Sequence, residues 1–288
     1  MKVIVDSACD ITQDEARELG ITVLPLKYYI GEDEYLDGVT VSNHEFYEIL
    51  EKGDIFPKTT QINPARYMEA FEEALEEDDE VLCMTMSKEI SGCYQSALIA
   101  REDFDGKVKV LDSEHFCISY RNLAVYRAQL SREGVGLDEA IEKLIDARKR
   151  LIIIAVFSTL EYLYKGGRLS RTKSLIGNML GIKPVISITD GAVNVLKLAR
   201  GQKKGCRDMF RYIKNKGTID FSMPYSTGYT GSSPEKLESF LKEYRLDFLG
   251  TKSVVEASVG TTVGIYAGPD AIAFSCFMED EVEKDIRK

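Results

Sequence analysis

Tryptophan is absent from this 288-residue chain, and histidine occurs twice, as His44 and His115. Bases that scarce leave little for nucleophilic catalysis. A Ser-His-Asp arrangement would have to use His115, whose neighbours Asp112 and Ser113 are too near in sequence to reach triad geometry readily. No GxSxG elbow, HExxH pair or GxxxxGK[ST] loop occurs, so hydrolase, metalloprotease and P-loop signatures are missing. The six cysteines (Cys9, Cys83, Cys93, Cys117, Cys206, Cys276) form no CxxC pair. That argues against a zinc ribbon or a disulfide framework and suits small buried hydrophobes in a reducing compartment. No apolar run approaches the roughly 20 residues that span a bilayer. The opening MKVIVDSACD meets an acid at Asp6, too early for a secretory signal. A soluble, cytoplasmic protein is expected. Cations are short as well: 37 Lys and Arg face 47 Asp and Glu, a net charge of −10. Nucleic acid wants a basic face, so no nucleic-acid partner is expected.

What remains is an ordinary globular composition, 44% hydrophobic and 29% charged. Its length favours two domains over one. Lys2 to Val5 reads as a strand ending in Asp6-Ser7, Thr12 to Leu19 as a helix, and Ile21 to Ile30 as a second strand. GEDEYLDG, ending at Asp37-Gly38, reads as an acidic turn. Ser42 to Lys52 carries a capping box, Ser42 with Glu45. Phe56 to Ile62 is too polar and short for an ordinary element. Asn63-Pro64 then supplies N-cap and N1 of a helix reaching about Glu76. A strand at Val81 to Met86 leads through a tight turn to another helix. Lys107 to Leu111 is a strand ending in Asp112-Ser113, and helices at Ser119 to Ser131 and Leu137 to Arg150 follow. Alternating strands and helices imply a Rossmann-like parallel sheet, with ligands outside the carboxyl ends of its strands. From Leu151 the pattern changes. A buried strand to Phe157 is followed by helix, Gly166-Gly167 break and helix. A hairpin at Asp190-Gly191 joins Ile182–Thr189 to Ala192–Leu198. Strands at Ser253 to Ser258 and Ala271 to Phe277 enclose a glycine-rich loop, VGTTVGIYAGPD. The expected architecture is therefore α/β in two domains: residues 1–150 around a Rossmann-like parallel sheet, and residues 151–288 around a mixed or antiparallel one. A cleft between them is the default ligand site.

Three groups of residues carry the functional readings. In SKEISGCYQSA, Ser91 sits at an N-cap position and Gly92 allows close backbone approach. A helix start of this kind favours an anion, although Ser91 as a plain cap is the simpler reading. A basic stretch (Lys165, Arg168, Arg171, Lys173, Lys197, Arg200, Lys203, Lys204, Arg207) is concentrated for an acidic protein. It is either wet surface or a patch for phosphate or an acidic partner. After it, Leu175, Ile176, Met179 and Leu180 form an apolar stripe at helical spacing, core or the lining of a pocket for a long apolar ligand. Asp6 and Asp10 could suggest a metal-dependent phosphatase, but no second acidic cluster accompanies them. No metal is expected.

Five segments in order resemble the DegV family of bacterial fatty-acid-binding proteins, the lipid-carrying subunits of fatty acid kinase. They are VDSACDIT, TTQINP, SKEISGCYQSA, LEYLYKGGRLS and VGTTVGIYAGPD. LEYLYKGGRLS is the most specific of them. The resemblance implies a two-domain protein, not itself an enzyme, with a long-chain fatty acid between its domains and no other cofactor. It places the carboxylate at Thr59, Thr60, Ser91, Gly92 and Tyr266. It makes Asp37, Arg168 and Arg200 candidates for docking the kinase subunit that forms the acyl phosphate, and transient membrane contact is compatible with such a carrier. The sequence departs from the family pattern at Ile62 (usually Pro), Cys93 (Thr), Tyr266 (often His) and Asp270 (often Gly). Two alternatives stand beside this reading. One is a lipid carrier without a kinase. The other is a small-molecule hydrolase or phosphatase using Asp6, Asp112 and His115.

Overall fold

A short, almost wholly buried strand opens the chain, β1 (Lys2–Asp6), and everything near the site is measured from its end. The structure is a computed structural model and describes residues 1–53, 55–169, 181–250 and 252–279. Helix α1 (Gln13–Leu19) starts at a complete capping box, Thr12 with Glu15, and leads to β2 (Ile21–Leu24) beside β1. The expected strand from Ile21 to Ile30 is two strands. Pro25 has no N–H to give a ladder, and beyond it the chain leaves the parallel sheet. β3 (Lys27–Ile30) and β4 (Asp33–Leu36) form an antiparallel hairpin around Gly31, whose φ is 65°. The stretch read as an acidic turn thus contains a strand. Helix α2 (Asn43–Lys52) keeps its Ser42–Glu45 capping box. The polar segment before Asn63 also holds a strand, β5 (Lys58–Thr60), pairing Tyr28 with Thr59. These edge strands are half-wet, so period-2 hydrophobicity does not announce them.

Helix α3 (Pro64–Leu75) has Asn63 as N-cap and Pro64 at N1, as expected. β6 (Val81–Thr85), α4 (Cys93–Ala100), β7 (Val108–Asp112), α5 (Cys117–Arg132) and α6 (Leu137–Arg150) follow. The four-stranded sheet has the order β2-β1-β6-β7 and is parallel throughout. Ser91 is not the N-cap of α4; Gly92 is, without a side-chain bond.

The second sheet begins with β8 (Leu151–Val156), after which comes α7 (Glu161–Lys165). The helix expected beyond Gly167, with its apolar stripe, lies outside the described residues, as do Arg171 and Lys173. β9 (Ile182–Thr189) and β10 (Ala192–Arg200) form the expected hairpin. Asp190 and Gly191 both have positive φ, 50° and 74°, which suits the tight primed turns of hairpins. Helices α8 (Gln202–Lys216) and α9 (Glu235–Phe248) fall in a stretch where the sequence reading assigns no element; between them runs β11 (Ser226–Tyr229). β12 (Val255–Ser258), α10 (Thr261–Ala267) and β13 (Ile272–Phe277) are the last elements among the described residues. The glycine-rich loop is therefore largely helix. The sheet order is β10-β9-β8-β13-β11-β12, antiparallel except for β11 with β12. Ile154 and Val156 of β8 face the α8–α9 side, while Ile153 and Ala155 face α5 and α10. That alternation is the strand period of two, buried on both faces. All six cysteines are free and buried.

Candidate functional site

Leu26, Met86 and Phe116 lie in the segments that leave β2, β6 and β7, so they stand outside the carboxyl ends of the parallel strands, where open α/β sheets take their ligands. There they line a cavity of about 210 Å³ together with β5, the turn before α4, α7, β10 and α10. Its polar wall is Thr59, Thr60, Gln61, Ser91, Gly92, Arg168, Thr262 and Tyr266. Ile90, Leu163, Val193 and Val263 add apolar surface. A second, almost wholly apolar cavity of about 40 Å³ lies against the inner face of the six-stranded sheet, lined by Ile153, Ala155, Phe157, Ile186 and Ala273 among others. Phe116 and Val263 belong to both walls. One end is polar and the other is grease.

The hydroxyls of Thr59 and Tyr266 share a hydrogen bond of 2.5 Å. The Arg168 guanidinium lies 4.9 Å from the Tyr266 ring centroid and donates to the carbonyls of Ile90 and Gly166 at 3.3 and 2.8 Å. Gly167 turns the chain at φ 71°, so the glycine pair does put Arg168 on a turn. A side chain at Gly166 would overlap the Tyr266 ring. Ser91 accepts from the Cys93 N–H at 3.3 Å and directs its own proton to Cys93 Sγ at 3.2 Å. Gly92 is needed for a specific reason: a Cβ there would run into the Gln61 amide, which donates to Ser96 Oγ at 3.0 Å. The Thr262 hydroxyl is buried and has no partner among the described residues.

Behind this wall lie three buried carboxyls, Asp6, Asp10 and Asp37. Desolvation pushes Asp6 and Asp10 up to about 7, against backbone N–H donors from Met86 and Ala8 for Asp6 and from Gly260 for Asp10. Asp37 accepts from the Ser7 hydroxyl and from both the N–H and hydroxyl of Thr261. Among the described residues no group of His, Cys, Asp and Glu is arranged to hold a metal ion. No helix of those residues is long and apolar enough to cross a membrane.

Comparison with known proteins fits this geometry. A family model described as "Uncharacterised protein, DegV family" matches residues 1–279. The chain belongs to the DegV family. A DegV domain-containing protein of Caldanaerobacter subterraneus is 37% identical over 270 residues, covering 93% of this chain and 95% of the relative. Among solved structures, a fatty-acid-binding DegV protein of Thermus thermophilus superposes with a TM-score of 0.88 at 26% identity, covering 96% of this chain and 99% of the other. A stearic-acid-binding protein of Eubacterium ventriosum gives 0.86 at 26% identity, over 96% and 98%.

Within this DegV protein the residues of the sequence motifs divide. Thr59, Thr60, Ser91, Gly92, Tyr266 and Arg168 share one cavity. Arg200, the last residue of β10, is exposed and apart from them. Asp37 is 3% exposed, with both oxygens occupied inside the molecule. The trio of Asp6, Asp112 and His115 is not assembled. Asp6 is fully buried on backbone donors. Asp112 accepts from the Lys88 and Glu114 N–H groups, and the His115 ring meets Ser119 at 3.1 Å. Burial holds His115 down at about 4, and none of the three lines either cavity. Two polar wall residues were missed. Gln61 stands in the TTQ motif and Thr262 in the glycine-rich one, so the motifs held them but gave them no role. Asp270 sits at φ 69° and pairs with Lys236 at 2.5 Å. Aspartate tolerates that left-handed backbone better than most residues.

Proposed function

We propose that this protein binds a long-chain fatty acid, its carboxylate at Thr59, Ser91, Gly92 and Tyr266 and its tail running past Phe116 and Val263 into the apolar cavity. The observation that carries this is a pair of adjoining cavities that share Phe116 and Val263, one with hydroxyls in its wall and the other almost wholly apolar. The two DegV proteins at 26% identity that bind fatty acids support it. Each buried methylene contributes roughly 0.8 kcal/mol, so the tail supplies most of the affinity. A buried carboxylate without donors costs several kcal/mol, and hydroxyls and free N–H groups offset that cost. In this reading the chain is a carrier, residues 1–150 and 151–288 being its two domains. A separate, cytoplasmic kinase then converts the presented carboxylate to an acyl phosphate. Arg168 at the cavity rim and Arg200, next to exposed Lys203, Lys204 and Arg207 on α8, suit an acidic face of that kinase.

Denaturing mass spectrometry of protein purified from cells should release a long-chain acid. Recovery of none, with no binding of added oleate or palmitate, would sink the reading. Adding a cognate kinase and ATP to the loaded protein should then give acyl phosphate, and a carrier without a kinase would give none.

A further inference from the structure

Helix α10 supplies Thr262, Val263 and Tyr266 to the cavity wall. Its first turn, however, is held from the other side by two carboxylates more than 200 residues away in sequence. Asp37 Oδ1 accepts the Thr261 N–H at 2.9 Å and the Thr261 hydroxyl at 2.6 Å. Asp10 Oδ1 accepts the Gly260 N–H at 2.8 Å. The N–H groups at a helix start have no partner within the helix, so these acceptors decide where the helix begins. Neither carboxylate lines the cavity.

Both holders are themselves fixed. Asp37 Oδ2 accepts from Ser7 at 2.8 Å, and Ser7 Oγ accepts the N–H of Leu26 at 3.0 Å. Asp10 stands in a left-handed conformation, φ 54°, and its carbonyl accepts from the buried Arg121 at 3.2 Å. A Cβ on Gly260 would come within 3.1 Å of Asp10 Oδ1 and 3.2 Å of Asp37 Oδ1, so the two oxygens flank the N-cap closely. Tyr47 adds a third hold, donating to the Val259 carbonyl at 2.9 Å. These bonds fix the backbone where the helix begins, and a helix moves as a unit. A shift at Thr261 is therefore carried to Tyr266 and to the hydrogen bond it shares with Thr59.

We infer that Asp10 and Asp37 are positioning residues for the ligand's head group: by pinning the start of α10 they set where the Thr262 and Tyr266 hydroxyls stand in the cavity. This rests on the fatty-acid reading above. A merely structural role would weaken head and tail binding together, whereas positioning weakens recognition of the head alone.

The test uses the full, delipidated chain, with dissociation constants for oleate and for oleyl alcohol, which has the same tail and no carboxylate. Wild type is compared with Asp37→Ala, Asp10→Ala and Thr261→Val, each checked by thermal melting. In folded variants, oleate affinity should fall about tenfold, the order expected for one disturbed bond to a charged group, while oleyl alcohol changes less than twofold. Adding Tyr266→Phe should then cost little more. Parallel weakening of both lipids, or unchanged oleate affinity, overturns the inference. Should Asp37→Ala fail to fold, Thr261→Val, which keeps both carboxylates and removes one donor, gives the same reading. A wild type that binds neither lipid brings down the fatty-acid assignment itself, which is a different failure from intact binding by the variants.

Discussion

Ser91 shows how a single residue divides between structure and function. Its hydroxyl accepts one backbone N–H, from Cys93, and sits in the cavity wall one residue before the N-cap of α4. Replacing it by alanine removes that acceptor and a donor toward the ligand. Losing the bond from the Cys93 N–H costs about 1 kcal/mol of stability; the donor to a buried carboxylate is about 1–3 kcal/mol of affinity. Ser91→Ala should therefore weaken oleate binding roughly 5- to 150-fold, read by titration, with a small drop in melting temperature. A melting shift with unchanged affinity would leave Ser91 a structural residue. Thr59, Ser91, Gly92 and Tyr266 each lie in a short sequence motif, and the fold brings those motifs to one cavity. The burial of Asp37 was not legible in the sequence. It depends on Ser7 and Thr261, 30 and 224 residues away, and no local pattern encodes such distances.

At the scale of elements, the sequence served best where one rule decided the outcome. A capping box marked α2, Asn63-Pro64 marked α3, and Asp190-Gly191 marked the β9–β10 hairpin. It failed for β4 and β5, whose half-wet strands lack alternation, and for α10, whose glycines read as loop. Those glycines serve close approach instead. At Gly264 a Cβ would stand 2.9 Å from Tyr47 Cζ and closer still to its hydroxyl. Alanine is the better helix former by about 1 kcal/mol, so an open position would gain stability from Gly264→Ala. Overpacking costs typically 1–3 kcal/mol and here also threatens the Tyr47–Val259 bond. Net destabilisation of about 1–2 kcal/mol is expected in urea melts, partly relieved by Tyr47→Phe, which removes the crowding oxygen. A stabilised Gly264→Ala protein would show that α10 is not pressed on Tyr47.

For the molecule as a whole, the buried carboxyls give stability an unusual pH dependence. Asp6 and Asp10 titrate at about 7 in the fold, against about 4 in an unfolded chain. Between those values the folded state binds more protons, so each carboxyl makes stability fall as pH rises toward 7, by up to about 1.4 kcal/mol per pH unit. His115 acts oppositely. Held down at about 4, it stays neutral in the fold while the unfolded imidazole charges below about 6.5. Stability from this source is therefore lost as pH falls from about 6.5 to 4. The carboxylates held below their usual range, Glu15 and Asp220 among them, act below about pH 4.5 and leave the interval above it untouched. From pH 8 down to pH 5 two carboxyls thus outweigh one imidazole. The protein should be more stable at pH 5 than at pH 8, by an amount on the order of 3 kcal/mol, read from urea midpoints at constant ionic strength. Asp10→Asn leaves one carboxyl opposed by His115, so its profile should be nearly flat between about pH 4.5 and 6.5. Stability that instead climbs from pH 5 to pH 8 in the wild type would mean that Asp6 and Asp10 stay ionised in the fold.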